Sequence, residues 1–142
     1  MADATYTIGL EELAEQDWSA ATIKVLLLEQ TPAFDAAHGT VAAVLADAGN
    51  TELSGTGYER KEVPTRTVTS DAGEATLDHG DIVYTALDAG EVGAAVYYRE
   101  VTDDSDSPVW FFKDSAFPFT SNGGDLTYST GASGLVTLAD AA

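Results

Sequence analysis

Glu52-Leu53-Ser54-Gly55-Thr56-Gly57-Tyr58 is the stretch on which the reading of the fold turns. Two glycines flank one threonine, so the backbone here needs positive φ or very close packing. The pair lacks the third glycine and the following helix of a dinucleotide site, and it lacks the Gly-Lys-Ser/Thr ending of a phosphate loop. It therefore reads as a structural turn feeding a strand, with Gly55, Gly57 and Tyr58 as its working residues.

Beyond this turn the hydrophobic period changes to two. Val63 to Thr69 alternates, and Pro64 marks it as an edge strand or a bulge. Ala75-Thr76-Leu77, Ile82 to Ala86, Ala94 to Val101 and Val109 to Phe112 read as further strands. Turns fall at Asp71-Ala72-Gly73 and Asp78-His79-Gly80-Asp81, and a hairpin-type loop at Asp103 to Pro108. Ser121-Asn122-Gly123-Gly124 is a strong turn signal. It places Asn122, Gly123 and Gly124 before a last hairpin of Asp125–Ser129 and Gly134–Leu138. Eight or nine short strands punctuated by turns form the pattern of a sandwich or barrel.

Before the turn the chain reads differently. Leu10, Leu13, Ala14 and Trp18 follow the i, i+3, i+4 spacing of a short amphipathic helix. Such a helix is marginal alone and must dock, either on its own domain or on a neighbouring subunit. In the second case Leu10, Leu13 and Trp18 are the subunit contacts. Thr22 to Leu28 is the most apolar run and reads as a buried strand. Ala33 to Ala48 is alanine-rich, with Val41, Val44 and Leu45 at helical spacing, and Gly49-Asn50 is placed to cap it.

Composition narrows the class. The 142 residues suit one domain. There are no cysteines, which excludes disulfides and thiolate chemistry. No apolar run reaches the roughly 20 residues of a membrane span, and Met1 to Thr5 carries no basic segment, so neither a membrane span nor a signal peptide is expected. The 24 acidic and 6 basic residues give a net charge of −18, spread along a chain that is 44% hydrophobic. That describes a folded domain with an acidic coat. Such a coat repels itself in dilute salt. In about 1 M salt the screening length falls to roughly 3 Å and the repulsion is mostly removed. The composition points to a halophilic, haloarchaeal source. It argues against nucleic acid as a partner, since phosphate binding needs a basic patch.

No reactive constellation stands out. His38 and His79 have no spacing partner, and His79 reads as a solvated turn residue. The Asp103-Asp104-Ser105-Asp106 loop offers oxygen ligands, but lacks the glycine and distal glutamate of a twelve-residue calcium loop. No Gly-x-Ser-x-Gly elbow occurs. Catalytic, cofactor and metal sites are therefore not expected. Tyr97-Tyr98 and Trp110-Phe111-Phe112 put aromatics on both faces of their strands, as core or as interface.

Taken in order, several segments resemble a family of small virion structural proteins of tailed phages and archaeal tailed viruses. They are Asp17-Trp18 closing the arm, Ile23-Lys24-Val25-Leu26-Leu27, Glu52 to Tyr58, Ala95-Val96-Tyr97-Tyr98, Ser107-Pro108 and Asn122-Gly123-Gly124-Asp125. The resemblance covers nearly the whole chain. It departs at Glu59-Arg60-Lys61, where glycines usually follow the tyrosine, and in the longer insert at 33–48. It implies a mainly β, jelly-roll-like sandwich over 21–142 with a helical arm over 1–20 and one helical insertion. The implied function is a non-enzymatic virion part that decorates the capsid or builds a turret or neck. Its partners would be itself, as a homo-oligomer, and the major capsid protein, with no nucleic acid and no membrane. A receptor- or glycan-binding module of a tail or fibre is the alternative.

Overall fold

A computed structural model describes residues 18–35, 37–71, 74–114, 117–130 and 134–139. Leu10, Leu13 and nearly all of the expected arm lie outside the described residues. What is described is mainly β. The elements in chain order are β1 (Ile23–Glu29), α1 (Val41–Ala46), β2 (Lys61–Glu62), β3 (Thr67–Asp71), β4 (Glu74–Asp78), β5 (Ile82–Tyr84), β6 (Glu91–Arg99), β7 (Val109–Lys113), β8 (Phe119–Thr120), β9 (Leu126–Tyr128) and β10 (Val136–Ala139). The chain clusters into two compact units. Unit 1 takes Met1–Ala21, Val63–Ile82 and Tyr128–Ala142, and unit 2 takes Thr22–Glu62 and Val83–Thr127. The sequence reading expects one domain over 21–142 instead.

Unit 2 is built on a five-stranded sheet in the order β2-β1-β6-β7, with β8 also pairing β6. β1 and β6 pair antiparallel from Ile23↔Arg99 to Glu29↔Val92. Residues 25–28 and 92–98 are buried throughout, so both strands are covered on both faces. This explains why Val25 to Leu28 of β1 reads as a continuous apolar run rather than an alternating one. Each such leucine contributes about 1.5–3 kcal/mol by leaving water. On one face, Val41 and Val44 of α1 pack on Leu26, Leu28, Val96 and Tyr98.

The helix is far shorter than the expected 33–48. Thr40 is extended at φ −133°, and its hydroxyl accepts from the Ala43 amide, so the helix starts only at Val41. That is an ordinary threonine N-cap. The far end is not closed by a left-handed Gly49. Asp47 is extended, and the Asn50 side chain donates to the Val44 carbonyl.

The expected strand over 63–69 is also cut. β2 ends at Glu62 and β3 begins at Thr67, with Thr65 between them at φ 47°. Pro64 has no amide to give a ladder.

Unit 1 holds the antiparallel sheet β10-β4-β3, with Thr76 opposite both Thr69 and Thr137. In β4, Ala75 and Leu77 are buried while their neighbours are not, the alternation of a strand with one core face. Trp18 is 1% exposed, and its indole N–H donates to the Asp78 carbonyl at 3.2 Å. Its ring is thus used inside its own chain, which removes it from the surface that a second copy would meet. A two-stranded pairing of β5 with β9 completes the sheets.

β3–β4 and β6–β7 are hairpins. The last expected hairpin is not: β9 pairs with β5, and β10 pairs with β4. A turn signal fixes local bending only, and the partners of these strands lie elsewhere in the chain.

Candidate binding cleft

In unit 2 the glycine stretch leads through Glu59 and Arg60 into the two-residue β2. It crosses another loop at close range. Gly55 has φ 148° and Gly57 φ 81°. A Cβ on Gly57 would lie 2.6 Å from the carbonyl oxygens of both Thr85 and Ala86, and one on Gly55 2.8 Å from Ala89 Cα. Thr56 bridges Asp88 between them, with the Asp88 amide donating to the Thr56 carbonyl at 2.8 Å. The second glycine turn meets the same loop. The Leu87 amide donates to the Gly124 carbonyl, and the Gly123 amide returns a bond to the Leu87 carbonyl. Asn122 Oδ1 accepts from the Gly124 amide, closing that turn. The two glycine signals, 65 or more residues apart in the chain, thus clasp the one segment 85–90.

Tyr58 has a defined task. Its hydroxyl accepts from the Leu27 amide at 3.2 Å and donates to Glu52 Oε2 at 2.6 Å. β1 pairs with β2 at Lys24 and Val25 and bridges Glu52 at Leu28. The Tyr58 hydroxyl serves an amide in the gap. Burial and the adjacent carboxylate raise its pKa well above the usual phenol value.

Arg60 completes this corner. It reaches Glu52 through Nε and Nη2, both at 2.8 Å, and Asp104 through Nη1 at 2.6 Å and Nη2 at 3.0 Å. Its guanidinium also lies 5.5 Å from the centre of the Tyr98 ring. A planar fork of five donors suits two carboxylates at once. The hydrogen bonds from Arg60 hold Asp104 below the ordinary aspartate pKa. The rest of that loop is turned on itself. Asp103 Oδ1 accepts from the Ser105 amide and hydroxyl, and Asp106 Oδ1 from the Thr102 and Asp103 amides. Its oxygens serve the turn's own donors. Among the described residues no group of three or more His, Cys, Asp or Glu is placed to hold a metal ion.

A concave feature of unit 2 is an aromatic cleft of about 170 Å³. A β-bulge in β7 builds one wall. Tyr97 opposes Phe111 and Tyr98 opposes Val109, leaving Trp110 as the extra residue. A bulge re-aims side chains that a regular strand would send to opposite faces. Val109, Trp110, Phe111 and Phe112 accordingly all line the cleft. The other wall is Phe34, 65% exposed, with its ring 5.4 Å from that of Phe112. The strap carrying Phe34 is fixed by Asn50. Its carboxamide accepts from the Ala33 amide at 2.7 Å and donates to the Ala33 carbonyl at 3.0 Å. Asp35 and His38 supply the polar rim, and His38 Nε2 lies 3.4 Å from Asp47.

His79, in unit 1, is not the solvated residue expected. It is 7% exposed, its ring 6.4 Å from Trp18 and 6.5 Å from Tyr128. Burial lowers its pKa. Asp-rich neighbours in sequence are a poor guide here, because two aromatic rings from distant segments come to lie beside it.

Comparison of the chain with family models, with curated proteins and with solved structures finds no match in any of the three. The sequence places Asn50 at the end of the helix, where its side chain does bond the Val44 carbonyl, but gives no sign of its hold on Ala33. Phe34 lies within the expected helix, and Arg60 stands out only as a departure from glycine. The one available signal for Arg60 was its rarity, one of six basic residues on so acidic a chain.

Proposed function

We propose that this protein is a non-enzymatic structural component of a haloarchaeal tailed virus, docking on the capsid as a decoration or forming part of a turret or neck. The aromatic cleft of unit 2 is the observation that carries the docking half. Phe34 stands 65% exposed beside Phe112, Trp110 and Phe111 in one contiguous concavity. Aromatic patches of this kind are what protein interfaces enrich. The virion half is supported by the ordered series of motifs and by the acidic coat of net charge −18. Within this reading the fold is a jelly-roll-like sandwich. The long-range antiparallel pairings β1–β6 and β4–β10 support that type.

The test is quantitative mass spectrometry of purified particles from a culture carrying the gene. The expected result is this chain in fixed ratio to the major capsid protein. Its absence from particles, with the protein present in cells, overturns the assignment. A receptor- or glycan-binding module of a tail or fibre is the second reading, favoured by the polar rim of Asp35 and His38 around the aromatic walls. A copy number of only a few per particle would point to it.

A further inference from the structure

We propose that the cleft of unit 2 receives a single lysine or arginine side chain from a protein partner. This rests on the docking reading and names the chemistry of what docks. Size comes first. At about 170 Å³ the cleft is well below the roughly 300 Å³ at which pockets for small-molecule ligands begin, so it suits one side chain rather than a run of sugar rings. Charge comes second. Among the described residues no lysine or arginine lines it, and its rim carries the Asp35 carboxylate and His38, itself beside the Asp47 carboxylate. An anionic group is repelled there, and a neutral hydroxyl can hydrogen-bond to the rim but lacks the charge attraction that a cation gains. Wall chemistry comes third. Phe34, Trp110, Phe111 and Phe112 offer aromatic faces to which a cation is attracted and along which its methylene stem can lie. Unit 2 already uses this pairing on its own cations, with Arg60 5.5 Å from the Tyr98 ring centre and Lys61 5.8 Å from that of Tyr84.

The experiment titrates the full chain in molar KCl with N-acetyl-lysine N-methylamide, N-acetyl-arginine N-methylamide, the uncharged N-acetyl-norleucine N-methylamide, and glucose. Shifts of the Trp110 indole and of the Phe112 ring are followed by NMR. The expected result is saturable shifts, with the lysine or arginine compound bound about threefold to tenfold more tightly than norleucine. Asp35→Asn should reduce that preference, and Phe34→Ala should abolish saturation. Phe34 is largely exposed, so that variant should melt with the parent. Equal binding of norleucine would make the cleft a plain apolar socket. Saturation by glucose would make it a glycan site, and no saturation would make it no site at all. Any of these overturns the proposal. Absence of the protein from virus particles would overturn the virion reading and leave this titration unchanged.

Discussion

Asn50 pairs with both backbone groups of Ala33, accepting from its amide and donating to its carbonyl. The same carboxamide donates to Val44 at the end of α1, so one buried side chain ties the Phe34 strap to the helix. Asn50→Ala removes three bonds and leaves backbone groups without their partner. A loss of about 2–3 kcal/mol is expected from denaturant unfolding. The Phe34 and Phe112 ring signals should move apart with it. A loss under about 0.5 kcal/mol would mean that the strap is held by something else.

Gly57 and Gly90 separate two causes of glycine choice. Both have positive φ, 81° and 85°. A Cβ at Gly90 meets nothing within 4 Å, whereas at Gly57 it meets two carbonyl oxygens at 2.6 Å. Gly90→Ala should therefore cost only the left-handed penalty of about 1–2 kcal/mol. Gly57→Ala should cost clearly more, because the 85–86 backbone must shift. Equal thermal melts for the two variants would show that the close crossing of 56 and 88 is not tight.

Arg60→Met leaves Glu52 and Asp104 facing each other without their cation. These groups are partly exposed, so the expected loss is modest, about 2 kcal/mol at pH 7. The pH dependence has a definite sign. Asp104 has its folded-state pKa lowered below 3.8. Its stabilisation is therefore complete above about pH 4 and is lost as pH falls further through the folded value. The gap between parent and Arg60→Met should narrow below about pH 4. A gap that stays constant down to pH 2.5 would show that Asp104 does not contribute to it.

His79 gives the opposite kind of titration in unit 1. Burial lowers its pKa from the ordinary 6.5, so the neutral ring is the form that fits. Its contribution is complete above about pH 6.5 and declines as pH falls through the folded value. The imidazole signals should titrate below 6.5 by NMR, and unit 1 should weaken over the same range. A midpoint above 6.5 would mean that the Asp78 and Asp81 charges outweigh burial.

Salt should act unequally on the two units. Each carries a net −9, but unit 1 has ten acidic residues and one basic, whereas unit 2 has fourteen and five. The single cation of unit 1, Arg66, donates to the backbone carbonyls of Ala21 and Ser19. Among the described residues the ion pairs Lys24–Glu100, Arg60–Glu52, Arg60–Asp104 and Lys61–Glu59 all lie in unit 2. The melting temperature should rise by about 10 °C or more from low salt to molar KCl, as repulsion of a few kcal/mol is screened. On dilution unit 1 should loosen first. Each unit has one tryptophan, so Trp110→Phe reports unit 1 through Trp18, and Trp18→Phe reports unit 2 through Trp110. A flat melting temperature would remove the halophilic reading, and coincident transitions would remove the inequality.

What the sequence determined by itself is local. The apolar run of β1, the strand character of Ala94 to Arg99 within the expected 94–101, the loop at Asp103 to Pro108 and the glycine turns at 55–57 and 122–124 follow from patterning and backbone sterics within a few residues. The charge of −18 and the lack of cysteine likewise need no coordinates. What only the tertiary structure decided is pairing. Alternation marks a strand but not its neighbour, so the β9–β5 and β10–β4 pairings could not be read from a turn at Asn122. Helical spacing at Val41, Val44 and Leu45 could not reveal that Asn50 would take both backbone groups of Ala33, outside the helix. Nor could a lone arginine announce Glu52 on one side and Asp104, 44 positions away, on the other. Long-range contacts are chosen by the summed burial and hydrogen bonding of the whole chain, and such contacts bring Phe34 and Asp35 to Val109–Phe112 to form the aromatic cleft.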